Sequence, residues 1–487
     1  MKFIVPLCCM ALLALNVHAQ QQKKKKQQRD TLTYNAQQVT VTATRQPETN
    51  LEVPLAVTVV PKDQFANNRG YGLDEALSLV PGALVQSRAG NHDVRVTIRG
   101  FGARGAGQRS NAGTSRGVRF YMDGIPETEP DGRTAFDLID LSGASSIEVI
   151  RSNASALWGN ASGGIVNIST VPTEDYAFIN AQNSIASYGF SKQSLQASSP
   201  LGNGGKVYTS INNTNFTGWR DQSNSTLFQF NTGILSKLGE RTKLNVFLVG
   251  ASNLFRIPGP LTQAQYDSMP TQAQNGKDYE HVNRDERRFN RLGRLGTTFE
   301  HQFDDGSVLN ATGFVQSKFL QRSERGDFRD FNRYHVGGNL VYRKNIQLSD
   351  DMRLQLLGGM DNQYQDGAIQ FYTLKQGNRG DTLRVNKREG ANNFGVFAQT
   401  ELTFNNSLTI MLGGRLDRIT YYNQEFPTRV SGATLSEDKA WEQITPKAGI
   451  TYRITPMMSV YANVGGGVEV PAGNEVDPVN ITGTVSW

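Results

Sequence analysis

Four arginines and one histidine fall in two neighbouring stretches of the chain and could bind an anion together. They are Arg88, His92, Arg104, Arg109 and Arg116. A guanidinium forms bidentate, charge-assisted hydrogen bonds with carboxylates, so clustered arginines suit a ligand that carries several carboxyl groups. The alternative is that these residues are ordinary solvated loop side chains. We expect them to form a binding site for an anionic small molecule, in or beside the loops that follow Val85 and Gly100.

Patterns typical of other chemistry are missing from the sequence. The five histidines show no metal-ligand spacing, and no Gly-x-Ser-x-Gly pattern occurs. Both cysteines, Cys8 and Cys9, lie at the N-terminal end, so the rest of the chain offers neither a disulfide nor a thiolate metal ligand. The glycine-rich run after Arg99 precedes no long helix that could hold a phosphate at its N-terminus. We therefore predict no enzymatic activity, no metal site and no cofactor.

The N-terminus has the pattern of a secretory signal peptide. A lysine at position 2 is followed by an apolar stretch of about 15 residues and by a small-residue cleavage site that ends at Ala19. We predict a signal peptide at residues 1–19 and export of the chain, which disfavours a nucleic-acid partner. Residues 20–37 are polar and rich in Gln and Lys, which predicts a disordered spacer.

The composition excludes a helical membrane protein. Hydrophobic residues make up 38% of the 487 residues, the mean hydropathy is −0.44, and no stretch after the signal peptide approaches the length of an apolar transmembrane helix. A membrane β-barrel remains compatible with these values, because its strands alternate between lipid-facing and lumen-facing residues. The net charge of +6 is small for this length.

Residues 38–45 form a short segment of alternating β-branched residues, Gln-Val-Thr-Val-Thr-Ala-Thr-Arg, followed by Pro47. Such a segment can add to the sheet of another protein through main-chain hydrogen bonds. It could equally be the first strand of the following domain, and the spacing alone leaves both interpretations open.

Residues 46–172 are expected to fold as a compact mixed domain of strands and short helices. Asp63 can cap a short turn, and the spacing of Leu73–Leu79 predicts a helix that ends before Pro81. The predicted strands are Leu55–Val60, Val94–Ile98, Val118–Met122 and Ile147–Ile150.

Residues 173–487 change to repeated segments of about ten residues with period-two alternation, which is typical of a transmembrane barrel. Examples are Lys206–Phe216, Lys243–Gly250, Leu309–Phe319, His335–Lys344, Met352–Met360, Gly395–Phe404 and Leu408–Asp417. Short turns alternate with two long polar insertions, Phe255–Asn290 and Thr373–Ala391, which we expect to be extracellular loops. The pattern gives roughly 13 or 14 strands. A soluble β-sandwich or an adhesin would show similar alternation over any single hairpin.

Several blocks of the sequence resemble the TonB-dependent outer-membrane receptor family, of the ferric dicitrate or siderophore-receptor type. The segment Val39, Thr40, Val41, Thr42, Ala43 and Thr44 resembles a TonB box. The other blocks are Leu73–Gly82, Ile98–Gly102, Met122–Pro126, Ile147–Arg151, Ala156–Gly159, Gly163–Thr170, Phe394–Gln399, Gly413–Asp417, Thr445–Tyr452 and Val460–Asn463. Their order and spacing extend the resemblance over the whole chain after the signal peptide.

The resemblance implies an α+β plug domain at residues 46–172 and an antiparallel transmembrane β-barrel from residue 173. It also implies location in the outer membrane of a Gram-negative bacterium, surrounded by lipid. There TonB, driven by its inner-membrane motor proteins, would pair with the box and pull. Arg99 and Arg151 match family arginines that pair with barrel carboxylates and lock the plug. We further expect the polar plug to rest against a hydrated barrel wall, with no dry apolar contact.

The implied cargo is a ferric chelate such as a siderophore or ferric citrate, with the iron held by its chelator. The stretch Gly117–Gly132 is equally similar to a receptor for pyrroloquinoline quinone, another anionic molecule. A non-transporting adhesin is the alternative from another class.

Two departures from the family pattern stand out. The chain has Arg151-Ser152-Asn153 where the family usually has Arg-Gly-Pro, so the turn after Ile150 is expected to differ. Family barrels close with about 22 strands, so we expect residues 173–487 to be a partial barrel and the chain to be C-terminally truncated. A complete smaller barrel is disfavoured because its lumen could not enclose the plug.

Overall fold

The structure is a computed structural model. It describes Thr40–Val41, Arg45, Glu48–Thr49 and residues 51–87, 92–102, 115–274, 284–324, 326–432 and 434–472. The predicted signal peptide, spacer and Val39, Thr42, Ala43 and Thr44 of the predicted box lie outside the described residues, as do Arg88, Arg104 and Arg109.

A short antiparallel hairpin precedes the globular part of the chain. It pairs β1 (Thr40–Val41) with β2 (Glu48–Thr49). The hairpin is a separate two-stranded sheet and does not extend either sheet of the following domain.

Residues 51–172, which we call the plug, contain two small sheets, three short α-helices and one 3-10 helix at Phe136–Leu138. The mixed five-stranded sheet has the order β3-β9-β10-β7-β8, and the three-stranded sheet has the order β4-β5-β6. The strands are β3 (Val57–Pro61), β4 (Ala83–Ser87), β5 (Val94–Ile98), β6 (Phe101–Gly102), β7 (Val118–Met122), β8 (Ile125–Pro126), β9 (Ser146–Ile150) and β10 (Gly164–Ser169), and the helices are α1 (Lys62–Phe65), α2 (Asp74–Leu77) and α3 (Ser155–Trp158).

The pattern of apolar residues explains these elements. In β5 the apolar residues alternate with Arg95 and Thr97, and the alternation buries one face. All five residues of β7 are buried, because this strand lies inside the sheet and is covered on both faces. α2 buries Ala76 and Leu77 and begins one residue after the predicted start. The predicted strands of the plug are confirmed, with shifts of at most two residues at their ends.

Thirteen described strands form one antiparallel sheet after the plug, which we call the wall. Each strand pairs with the next one along the chain. They are β11 (Phe178–Ala186), β12 (Phe190–Leu201), β13 (Gly205–Phe216), β14 (Ser225–Lys237), β15 (Thr242–Arg256), β16 (Arg287–Gln302), β17 (Val308–Glu324), β18 (Asp327–Ser349), β19 (Met352–Lys375), β20 (Asn378–Phe404), β21 (Leu408–Phe426), β22 (Leu435–Thr455) and β23 (Met458–Gly465). β11 and β23 are its two edges, and no pairing joins them within the described residues.

Alternate residues of the wall strands face the plug or the outside, as the period-two pattern predicts. On β17, Phe314 and Gln316 are buried against the plug side, whereas Val315 between them is exposed. Apolar side chains such as Leu340, Leu412 and Ile444 remain exposed on the outer face. None of the described helices is long and apolar enough to cross a membrane.

One predicted loop is wrong. Thr373–Ala391 is mostly strand, because β19 and β20 continue to a tight turn at Gln376 and Gly377, where both residues have positive φ. Polar residues occupy both faces of these strand ends, so the alternation that marks a strand disappears from the sequence although the backbone pairing continues. In the other insertion, the described part contains a helix, α4 (Gln263–Ser268), which begins with a capping box made by Thr262 and Gln265.

Candidate functional site

The hairpin β1–β2 brings the predicted box close to the wall. Thr40 pairs with Thr49 and Val41 with Glu48, so the described part of the box is paired with its own chain. Arg45 lies in the turn between the two strands with a positive φ of 69°. The pairing is only two residues long on each side, and so short a hairpin is weak in isolation.

The side chain of Arg45 fastens this hairpin to the wall. It is 4% exposed, and its Nη2 lies 2.8 Å from a carboxylate oxygen of Asp361 on β19. The guanidinium lies 4.0 Å from the ring centroid of Trp158 at the end of α3 and 4.5 Å from that of Phe397 on β20. An arginine stacked on aromatic rings and paired with a carboxylate is held through both its charge and its planar face.

Asp361 also belongs to a buried network on the wall. Arg415 on β21 lies 2.5 Å from Asp361 and 2.7 Å from Asp417, and it donates a hydrogen bond to the Leu157 carbonyl of α3. Because Asp361 has two arginine partners, it keeps one of them when Arg45 leaves. The arrangement therefore allows Arg45 to be withdrawn without leaving a carboxylate unpaired in a buried position.

The loop after β8 places two glutamates next to cationic side chains of the wall. Glu127 lies 2.5 Å from Arg294 on β16, and Glu129 contacts Lys318 on β17. All four side chains are almost completely buried. Buried charges of opposite sign must stay paired, since an unpaired one is strongly destabilising.

The same loop continues into a second set of ion pairs. Asp131 lies 3.3 Å from Arg333 on β18, and Arg333 lies 2.9 Å from Glu389 on β20. Arg133 contacts Asp131 and lies 3.0 Å from Glu389. We call residues 127–133 the acid loop; through it the plug is joined to β16, β17, β18 and β20.

Arg99 and Arg151 do not make the predicted ion pairs in the described part of the chain. Arg99 donates to the Arg151 carbonyl at 2.5 Å, and Arg151 donates to the Pro81 carbonyl at 3.2 Å. Both arginines thus bond to the backbone of the plug, and their role as plug–barrel lock stays a prediction. The described ion pairs between plug and wall come mainly from plug carboxylates, the opposite charge to the one predicted.

No pattern in the sequence identifies Arg45 as a contact with the wall. It follows the predicted box, but a single arginine gives no signal of its partner, since Asp361 lies 316 residues away. The acid loop was partly visible, because three acidic residues alternate in Glu127–Asp131. Alternating carboxylates in a loop usually indicate solvation, and only the wall cations give them another meaning.

His92 lies in a bend before β5 with its side chain buried, and its role in ligand binding stays a prediction. The side chain is 2% exposed, its Nδ1 bonds to the Tyr71 carbonyl, and its ring lies 3.8 Å from the Tyr71 ring. Tyr71 in turn packs against Phe190 and Phe216 of the wall. Burial lowers the pKa of His92 to about 4, so the ring is neutral at pH 7 and serves packing.

Arg116 faces a segment that leaves β23 and lies on the plug. Its Nη1 is 3.8 Å from Glu469, and its side chain is 21% exposed. The backbone of this segment is held by Asn153, which donates to the Gly466 carbonyl at 2.6 Å, and by Ser155, which accepts from the Val468 N–H. The turn that departs from the family pattern thus has a structural use, whereas ligand binding by Arg116 stays a prediction.

The plug-facing side of β16–β18 carries arginines that the sequence did not single out. Arg288 lies 3.0 Å from Glu324 and 3.1 Å from Asp93 of the plug. Arg322 and Arg329 approach the same Glu324 at 3.9 and 3.8 Å. Arg288 is shared between Glu324 and Asp93, and Arg329 also lies 3.7 Å from Asp327, so carboxylates balance the three guanidiniums. In contrast, no group of three or more His, Cys, Asp or Glu residues that could hold a metal ion occurs among the described residues.

Solved structures of similar fold include a ferric citrate transporter and a siderophore receptor. The ferric citrate transporter FecA in its unliganded form superposes with a TM-score of 0.74 at 18% identity, and the match covers 86% of this chain and 63% of that chain. The siderophore receptor PiuA of Acinetobacter baumannii gives a TM-score of 0.67 at 14% identity, covering 85% of this chain and 65% of that one. This chain therefore spans less than two thirds of the length of either receptor.

Comparisons of sequence agree with the fold. The vitamin B12 transporter BtuB of Vibrio vulnificus (strain CMCP6) is 29% identical over 31% of this chain and 22% of its own length. The hemin receptor of Yersinia enterocolitica is 27% identical over 31% of this chain and 20% of its own length. The model of the TonB-dependent receptor plug domain matches residues 49–165, and the model of the TonB-dependent receptor-like β-barrel matches residues 209–484. Because the barrel model alone matches more than half of the chain, the protein belongs to the TonB-dependent receptor family.

Proposed function

We propose that this chain takes up an anionic ferric chelate, a siderophore or a citrate-like complex, across the outer membrane of a Gram-negative bacterium. TonB, driven by its inner-membrane motor proteins, would pair with Val39–Thr44 and pull on the plug. The observation that carries the proposal is the contact of Arg45 with Asp361. This contact attaches to the wall the segment on which TonB would act. The attachment depends on one side chain, which a pull can withdraw.

The mechanical argument starts from the missing energy source. The outer membrane holds no ATP and no proton gradient of its own, so work must arrive by contact with another protein. The box is short and β-branched, and its described residues form a two-residue pairing with β2 that a longer strand pairing with TonB can replace. The pull would then act first on Arg45, the residue that follows the box.

The ligand class follows from the charges on the wall and the plug. Arg288, Arg322 and Arg329 surround one glutamate on the plug-facing side, and Arg116 lies near a second glutamate. A polycarboxylate could displace either glutamate and form charge-assisted bonds with the freed guanidiniums. We expect iron to stay bound to its chelator as cargo, without protein ligands.

The proposed location rests on the outer face of the wall. Exposed apolar side chains recur on its outward residues, among them Leu295, Leu340, Leu356, Leu416 and Ile450. Apolar outward residues that alternate with polar inward ones suit contact with outer-membrane lipid. A non-transporting adhesin is a less suitable alternative, because an adhesin has no need of the Arg45 contact.

The test is the substitution Val41→Pro, with Val41→Ile as the matched control. Proline removes the main-chain donor of a central residue of the box and cannot join a strand ladder. We expect TonB-dependent uptake of radioactive ferric citrate to fall at least tenfold in Val41→Pro, while binding of ferric citrate to the cells stays within twofold. The Val41→Ile variant should retain uptake. Undiminished uptake by Val41→Pro would refute the proposed coupling.

A further inference from the structure

The first five strands of the wall contain no carboxylate. The sequences of β11, β12, β13, β14 and β15 include lysines and one arginine but neither Asp nor Glu. Each strand from β16 to β22 carries at least one acidic residue. We call β11–β15 the acid-free wall. The division follows strand order, so one continuous sector of the wall differs in charge from the next.

The plug-facing side of the acid-free wall combines apolar side chains, such as Phe190, Phe216 and Phe247, with neutral hydrogen-bonding ones. Buried amides and hydroxyls on this side are Ser198, Ser210, Asn212, Thr214, Ser225, Gln229, Asn231 and Asn253. Several of their polar atoms have no hydrogen-bond partner in the protein, including both amide atoms of Asn231 and the Oδ1 atoms of Asn212 and Asn253. Buried polar atoms without partners are rare, and they indicate a surface suited to water or to a polar ligand.

The plug contacts the acid-free wall without ion pairs. The cations of these five strands make no ion pair with a carboxylate of the plug in the described part of the chain. Lys192 donates to the Gly70 carbonyl at 2.9 Å, and Asn212 donates to Asp140 at 2.8 Å. On the other sector, the acid loop and Asp93 hold the plug through buried ion pairs. Separation from the acid-free wall breaks hydrogen bonds, including those of the buried Lys192 and Asp140, but no ion pair between plug and wall.

A cavity already lies on this side of the plug. Its volume is about 280 Å3, and it is bounded by plug residues 62–70 and 141–144 and by the inward faces of β11 and β12. Lys62, Lys192 and Gln196 line it, with Asn180, Gln182 and Ser184 of β11 on the opposite side. Its lining includes two lysines and no carboxylate.

We propose that the passage for the chelate opens between the plug and the acid-free wall, while the acid loop keeps the other side of the plug attached. The inference rests on the proposed uptake function and assigns the route within it. The amides, hydroxyls and lysines along this passage offer hydrogen bonds to an anion, and the wall strands beside it present no carboxylate that would repel one. The sector with ion pairs would instead serve as the hinge about which the plug moves.

The first test measures movement without reference to the cargo. Residues 20–487 contain no cysteine, so single cysteines report without background. Asn231→Cys on β14 and Gln316→Cys on β17 form a matched pair, since both replace buried amides with unpartnered atoms on the plug side of the wall. Cells are treated with sulfonatoethyl methanethiosulfonate, with TonB energised or uncoupled. We expect energised TonB to speed labelling of Asn231→Cys at least tenfold and that of Gln316→Cys less than twofold. Faster labelling of Gln316→Cys than of Asn231→Cys would overturn the route.

The second test changes charge at the same two positions. Asn231→Asp and Gln316→Glu each convert an amide to a carboxylate of nearly the same shape. We expect Asn231→Asp to lower the uptake rate of radioactive ferric citrate at least fivefold with binding unchanged, and Gln316→Glu to lower it less than twofold. Equal effects of the two variants would contradict the inference. Failure of the proposed function is distinguishable, because it would appear as absence of ferric citrate uptake by the unsubstituted protein, whereas the labelling test needs no cargo.

A tether provides an independent check. A Cβ built on Gly143 of the plug would lie 3.2 Å from the Cβ of Ser210 on β13, and a Cβ built on Gly467 would lie 3.1 Å from the Cβ of Ser162. Both pairs are close enough for a disulfide after small adjustment. We expect the Gly143→Cys/Ser210→Cys disulfide to block uptake reversibly with reductant, and the Ser162→Cys/Gly467→Cys disulfide to leave most of it. The reverse order of effects would overturn the proposal.

Discussion

Arg45 and Asp361 lie 2.8 Å apart, although 316 residues separate them in the sequence. The first belongs to the hairpin that contains the predicted box, and the second to the middle of a long wall strand. Their contact therefore joins the part of the chain that TonB would pull to the part that the membrane would hold still. The rings of Trp158 and Phe397 exclude water from it, which strengthens the electrostatic attraction.

Loss of this contact is expected to free the hairpin. In Arg45→Ala, a cysteine at Val41 should react with a maleimide at least fivefold faster than in the parent Val41→Cys protein, which corresponds to about 1 kcal/mol of lost stabilisation. Asp361→Ala should act in the same direction. Because the two residues act on one contact, the double variant should be no faster than the faster single variant. Multiplied effects of the two changes would show that the contact does not hold the hairpin.

The acid loop is expected to stabilise the docked plug. In Glu129→Gln, the buried Lys318 and Arg333 lose a negative partner, and breaking a buried pair from one side costs about 3–5 kcal/mol. We predict a clear fall in the thermal unfolding temperature of the purified protein. Glu442→Gln is the control, because Glu442 and its partner Arg418 are both exposed and such pairs contribute less than about 1 kcal/mol. Similar melting temperatures for the two variants would contradict the prediction.

Acid is expected to destabilise the plug through His92. Burial lowers its pKa to about 4 from the ordinary 6.5, so between these values the unfolded chain binds a proton that the folded chain refuses. The contribution of His92 is therefore intact above pH 6.5 and is lost as the pH falls toward 4, by about 3 kcal/mol in total. His92→Gln should remove this part of the pH dependence. Melting curves from pH 7.5 to pH 4 for both proteins test the prediction, which parallel curves would contradict.

Two strand glycines offer a test of the outer face. A Cβ at Gly390 would meet the ring of Tyr422, whereas a Cβ at Gly293 would meet nothing within 4 Å. In Gly390→Ala, Tyr422 must move and lose its 2.7 Å hydrogen bond with Tyr364, at a cost of about 1 kcal/mol. Gly293→Ala should be neutral or slightly stabilising, since glycine weakens a strand. The test is to measure the free energies of unfolding of the two variants. An equal change in both would refute the explanation that the Cβ at Gly390 displaces Tyr422.

Strands in which apolar and polar residues alternate can be predicted from the sequence. Contacts between residues that are far apart in the chain cannot. Val94–Ile98 and Val118–Met122 were predicted with their observed ends, because alternation and flanking glycines mark them. The ends of β19 and β20 next to the turn at Gln376 and Gly377 were not predicted as strand. Polar residues on both of their faces leave no alternation of apolar and polar residues to detect. Apolar contacts between plug and wall were also missed: Phe120 and Leu292 share one core, contrary to the expected hydrated interface.

Predicting the site required knowledge of contacts that no local pattern contains. His92 is predicted to bind a ligand because it lies in or beside the loop after Val85, but burial against Tyr71 makes it neutral. Arg99 and Arg151 were chosen by resemblance, and in the structure they bond to plug carbonyls. The charges that join plug and wall are spread over strands far apart in the chain, and only their register brings them together.

The position of β3 at the edge of the five-stranded sheet affects how the plug gives way. Residues 57–61 have β9 as their single neighbour, paired from Val57 with Ile150 to Pro61 with Ser146. Traction from the N-terminal side can separate this strand from β9 one hydrogen-bonded pair at a time. The peak force is then the force that breaks one or two hydrogen bonds. The remaining four strands keep their ladder while this happens, and they provide a template on which the detached strand can re-anneal once traction ceases.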